Sequence, residues 1–215
     1  TRMKAVRGMT WGQQLRGYKG TFKSILTSPA TIFAIIISIL VEIATMINMT
    51  FWQIIASRRI GIPDTMLPIF PMVKSLLVIV LFFTVLARIQ QARPIVPLAG
   101  GFISAIVSAL LLISVPGAGL TGYVVLGVSL LLESLGYSVL STMRESLVAT
   151  SVNPDDRSRI MALLQTSVML VSMPFGYIAG LLSDLNRALP FVLNMVLLLL
   201  GLLAAVVFFR KEKHA

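Results

Sequence analysis

Six stretches of this chain are too long and too continuously apolar to fit anything but a lipid bilayer. They run over residues 30–56, 66–87, 94–114, 121–143, 158–182 and 189–209. A helix needs about 20 residues to cross the hydrocarbon core, and each stretch supplies that length. The apolar residues are continuous, not alternating, which favours helices over barrel strands, and a helix satisfies its own backbone in lipid. Of the 215 residues, 57% are hydrophobic and only 12% charged, about half the charge of a soluble domain. Short polar or Gly/Pro-bearing connectors leave no room for a soluble domain. The sequence predicts an all-α polytopic membrane protein with six transmembrane helices over 29–210. A basic linker precedes them over 1–28 and a short tail follows over 211–215.

The placement of charge predicts the orientation. Lys and Arg number 18 against 8 Asp and Glu. In a soluble protein that excess would suggest nucleic acid; here no nucleic-acid partner is expected, because position matters more than sum. With six spans and both ends on one side, that side collects the basic residues before Pro29, Arg88 and Arg93, the run from Arg144 to Arg159, and Arg210, Lys211 and Lys213. The other side keeps Arg58, Arg59 and Arg187. The positive-inside rule then puts both termini in the cytoplasm, with the bundle in the cytoplasmic (inner) membrane.

Several function classes are excluded at this level. There is no cysteine, and the single histidine, His214, lies one residue from the end. Thiol chemistry, cysteine-ligated metals and multi-histidine metal sites are therefore out of reach. No phosphate-binding loop of the G-x-x-x-x-G-K-[ST] type occurs. No cofactor and no metal are expected. An enzyme is not expected either, since the polar residues assemble no catalytic nucleophile and base.

Two segments outside the spans carry pattern. Trp11, Leu15, Tyr18, Phe22 and Ile25 recur at helical spacing among Arg16, Lys19 and Lys23, which suits a helix lying in the cytoplasmic interface or a plain basic flank. In "VNPDDRSRIMALL", Asn153 can cap a helix, Pro154 fits its first turn, and Asp155 and Asp156 meet the positive end of its dipole. The alternative is a latch in which Arg157 and Arg159 pair with cytoplasmic acids. Pro68, Pro71, Gly100, Gly101, Gly136, Pro174 and Gly176 fall within or at the edge of spans, either for close packing or for kinks around a cavity.

Three ionisable side chains lie well inside spans: Glu42 in the first, Lys74 in the second and Glu133 in the fourth. Such groups usually face a bundle interior or a water-filled cavity, and they pair. At 100° per residue, Thr45, Met46, Met49 and Gln53 share the face of Glu42, and Ser129, Gly136, Tyr137 and Arg144 that of Glu133. Gln165, Ser172 and Gly176 form a stripe on the fifth span. Spans one, two, four and five therefore read as walls of a polar cavity, and three and six as lipid-facing supports. Lys74 and a glutamate could form a static pair that fixes helix register, though desolvation makes such pairs weak stabilisers. The functional reading is a site where a solute or proton competes for the pair.

The stretch "TMRESLVATSVNPDDRSRIMALLQTSVMLVSMPFGYIAGLLSDLNRALPFVLNMVLLLLGLLAAVVFFRK" resembles the closing part of a major facilitator superfamily transporter. From about Ser28 the chain is similar to the second six-helix half of such a protein, and residues 1–27 resemble the cytoplasmic link between halves. The resemblance implies two halves rocking about a midplane solute site, with the first, second, fourth and fifth helices of each half lining it. By position it implies that Glu42, Gln53, Lys74, Glu133, Tyr137 and Gln165 face a small-molecule solute, with a proton as a candidate coupling ion. Candidates for a cytoplasmic gate are Arg88, Arg93, Arg144, Asp155, Asp156 and Arg157. "LARIQQARP" keeps Arg88 and Arg93 but lacks the glycine and aspartate of the family signature. A second six-helix half is the implied partner, in the same longer chain, as a separate half or as a second copy. The competing expectation is a membrane scaffold whose buried charges only specify helix pairing.

Overall fold

The structure is a computed structural model and describes residues 29–86, 93–117, 119–151 and 157–212. These form six helices, and no strand occurs among the described residues. They are α1 (Pro29–Ile55), α2 (Ile69–Leu81), α3 (Ile95–Ile113), α4 (Leu120–Ser151), α5 (Arg157–Leu185) and α6 (Leu189–Glu212). The interfacial segment around Trp11 to Ile25 and the capping residues Asn153 to Asp156 lie outside the described residues.

Among the described residues, five helices are long and apolar enough to cross a bilayer: Pro29–Ile60, Ile95–Ile113, Leu120–Thr150, Gln165–Leu185 and Leu189–Lys211. Within the second stretch the described apolar helix runs over Ile69–Val85. Pro63 lies in the connector ahead of it, and Pro68 and Pro71 bracket its first residues, so the helix starts later than the apolar run. At its far end it loosens into a π-helical turn, Phe82–Leu86.

α1 and α4 form the centre and run antiparallel. Ala34 and Val148 share one small cluster, while Asn48 meets Glu133 a few turns further on. α6 and α5 pack on α1, α3 and α2 pack on α4, and α3 touches α6. Exchanging α1, α2 and α3 for α4, α5 and α6 reproduces these contacts; the α5–α6 contact has no equally strong counterpart between α2 and α3.

The closest packing joins α3 to α4, and small residues cause it. A Cβ at Gly136 would stand 2.8 Å from the Ala105 nitrogen and 2.9 Å from the Gly101 carbonyl oxygen, so only glycine admits this approach. The proximity lets hydroxyls bridge the helices. Ser104 donates to the Leu132 carbonyl at 2.8 Å, and Ser108 and Ser129 donate to each other's carbonyls at 2.9 and 3.0 Å. Phe102 of α3 sits where a side chain at Gly201 of α6 would be. Phe33 of α1 stacks on Phe208 of α6 at 4.1 Å between ring centroids.

At the other end, α1 runs on as a π-helical segment, Ala56–Ile60. Gly61 stops it with φ 79°, a left-handed conformation that glycine adopts without strain. Ser57 donates to Asp64 at 2.9 Å, and Arg59 donates to the Ile113 carbonyl at 2.5 Å, placing a cation at the negative end of α3. α2 contrasts with the rest: none of its residues is buried. It is held by Trp52 of α1, whose ring lies 5.3 Å from that of Phe70, and by contacts to α4.

Candidate functional site

Polar side chains of α1, α2 and α4 converge on a cavity of about 270 Å³. Glu42, Thr45 and Asn48 come from α1, Lys74 from α2, and Ser134, Tyr137, Ser138, Ser141 and Arg144 from α4. Val41, Met49 and Val78 complete the lining.

Two ion pairs occupy it. Lys74 Nζ pairs with Glu133 Oε1. The same oxygen accepts a hydrogen bond from Asn48 Nδ2 at 2.5 Å, so one buried carboxylate ties together α1, α2 and α4. Glu133 is sealed, with 2% of its side chain exposed, while Lys74 keeps 22%. Its ammonium also stands 6.0 Å from the centre of the Tyr137 ring, at the outer range of a cation–π contact. The second pair joins Arg144 Nη1 to Glu42 Oε2 at 2.5 Å and is more open, with 23% and 35% of the side chains exposed. The four formal charges sum to zero.

The hydroxyls divide by partner. Thr45 donates to the Val41 carbonyl at 2.7 Å and Ser138 to the Ser134 carbonyl at 2.5 Å, each back along its own helix. Tyr137 donates to the Ala44 carbonyl at 3.3 Å and accepts from Asn194 of α6 at 3.0 Å, which braces α4 against α1 and α6. Ser134 Oγ is different: it is buried and finds no hydrogen-bond partner among the described residues.

Of the residues singled out in the sequence, Glu42, Lys74 and Tyr137 line the cavity together, and Glu133 is sealed behind its partner Lys74 without lining it. Gln53 and Gln165 are exposed and do not line it. Arg144, a gate candidate by position, lies in the cavity as the partner of Glu42, so the charged set has two cations and two anions instead of one and two. The reason is reach: Arg144 has the longest side chain on its face, and helical side chains lean toward the N-terminus of their helix. Arg93 is exposed in the connector before α3, while Arg88, Asp155 and Asp156 lie outside the described residues. Arg157 begins α5, with its side chain outside the described set.

The expected four-helix wall is also corrected. Among the described residues α5 contributes no lining side chain: Gly176 packs on Met46 of α1, and Ser172 turns back to the Val168 carbonyl at 2.7 Å. α3 and α6 stand behind α4 and α1 and contribute none either. Asn48, Ser134, Ser138 and Ser141 were missed. Centring each face on its glutamate causes this, because the cavity faces of α1 and α4 are turned roughly 60° from Glu42 and Glu133. Asn48, the one amide between Glu42 and Gln53, was the available signal.

Among the described residues no group of three or more His, Cys, Asp or Glu could hold a metal ion. Compared with known protein families, curated proteins and solved structures, the chain matches none.

Proposed function

We propose that this chain is a six-helix half of a secondary transporter of the major facilitator type, moving a small solute across the cytoplasmic membrane by alternating access. The observation that carries the reading is the cavity itself: two ion pairs of zero net charge held between α1, α2 and α4, at the level of the membrane where charges are expensive. The contact pattern preserved on exchanging α1–α3 for α4–α6 supports it, because transporters of this kind are built from three-helix repeats of inverted topology.

In this reading α2 is the sixth span. The helical length Ile69–Val85 corresponds to about 25 Å at 1.5 Å per residue, a shortfall that local bilayer thinning absorbs. Both termini face the cytoplasm. A second half covers the open side of the cavity, and the exposed Gln53 and Gln165 are within its reach. The competing reading, a scaffold with static ion pairs, keeps the cavity shut to one side.

A thiol-labelling experiment separates the two: this chain has no cysteine, and any cysteine of the second half is first replaced by serine. Ser141→Cys places a single thiol in the cavity lining. In the full-length protein in oriented vesicles, alternating access expects a membrane-impermeant reagent to label it from either face. Labelling from one face only, or from neither, overturns the transport reading.

A further inference from the structure

We propose that the cavity takes a small zwitterionic solute, with its carboxylate on Lys74 and Ser134 and its ammonium on Glu42. The inference rests on the transport reading above and narrows it to a substrate class.

Charge balance is the first argument. Lys74 and Arg144 are already matched by Glu133 and Glu42. A solute with a net charge would carry an unmatched charge to a depth where that is expensive. A zwitterion adds no net charge, and each of its ends can share a partner with an existing pair.

Unspent hydrogen-bonding capacity is the second. An ammonium has three N–H donors, and Lys74 directs one to Glu133. Glu42 accepts from Arg144 on Oε2, leaving Oε1 without a protein donor among the described residues. Ser134, at 1% exposure, lines the cavity with a hydroxyl that has no partner. A buried hydroxyl in that state is destabilising, and an incoming carboxylate relieves it. Unused donors thus gather at one end of the cavity and an unused acceptor sits at the other.

The spacing sets the length of the solute. Asn48 shares Glu133 with Lys74, which fixes the level of the ammonium against α1. Glu42 lies six residues away along that helix, about 9 Å at 1.5 Å per residue. The two charges of the solute therefore stand several carbons apart, and Val41, Met49 and Val78 give its chain apolar contact. A volume of about 270 Å³ lies just under the usual range for ligand pockets and restricts the solute to a small one.

The test uses the full-length Ser141→Cys protein and measures how solutes slow thiol labelling. The probes are ω-amino acids from glycine to 6-aminohexanoate, each beside the monocarboxylate and the alkylamine of the same carbon chain. The expected result is protection by one or more ω-amino acids, about fivefold or greater, with none from the matched anions and amines. Ser134→Ala should raise the solute concentration needed for half-maximal protection by about tenfold or more, the loss of a hydrogen bond to a charged group. Its melting temperature should stay level or rise, because the native hydroxyl has no bond to lose. Glu42→Gln should abolish protection. Equal protection by a monocarboxylate or an alkylamine, or protection by no probe at all, overturns the proposal. Labelling from both faces that persists while every probe fails removes only the substrate class; one-sided labelling without probes removes the transport reading.

Discussion

Lys74 is the side chain on which the polar core of this molecule turns. Its partner Glu133 is buried on all sides, and Asn48 alone cannot neutralise it. Breaking a buried pair from one side leaves an uncompensated charge, at a cost of about 3–5 kcal/mol. Lys74→Ala is therefore expected to lower stability by about that much, read as a loss of melting temperature in detergent. Lys74→Ala combined with Glu133→Gln should recover most of it, since the double variant buries no charge. A double variant as unstable as the single would show that the pair is not the source of the loss. The three intramembrane charges were legible in the sequence because ionisable groups stand out in apolar runs. Their partners were not, since a residue's reach across a helix interface depends on side-chain length and rotamer. That is why Arg144, read as a gate residue, pairs with Glu42 instead.

Helices were legible from apolar length alone, and their contacts were only partly so. Gly100 and Gly101 look alike in the sequence, yet a Cβ at Gly101 would press on Leu140 and Gly136, whereas one at Gly100 would meet nothing within 4 Å. Gly136→Ala should force α3 and α4 apart and cost about 1–3 kcal/mol of overpacking. In a chain of this size that is about 2–4 °C of melting temperature for each kcal/mol. Gly100→Ala should be neutral or stabilising, as alanine favours a helix over glycine by about 1 kcal/mol. Equal effects at the two sites would rule out the close approach as the cause. The π-helical turns at Ala56–Ile60 and Phe82–Leu86 had no sequence signal, because they arise where a helix end adjusts to its neighbours. α2 starts later than its apolar run for a related reason: prolines delay its first turn.

At the scale of the molecule, α1, α2 and α4 line the cavity as expected, and among the described residues α3, α5 and α6 contribute no lining side chain. The paired arrangement around α1 and α4 could not be read from the charges, since it depends on which small residues meet. The number of crossings remains the property on which orientation depends. If α2 crosses the bilayer, a cysteine at Asp64 labels from the outer face and one at Arg93 from the cytoplasm. If both label from the same face, α2 does not cross and the placement of both termini in the cytoplasm fails with it.

The exposure of α2 also has a consequence in time. A helix with no buried residue is retained by few contacts, and the Lys74–Glu133 bond is the only ion pair among the described residues that reaches it. Beside the Trp52–Phe70 contact and the packing on α4, the lifetime of that bond then sets much of the dwell of α2. If its rupture contributes about 4 kcal/mol to the barrier, the opening is slowed roughly a thousandfold. Lys74→Ala should accelerate hydrogen exchange along α2 toward that limit while leaving α3 unchanged. A single lysine would then act as the escapement of the bundle, setting the interval at which its most weakly held helix lets go.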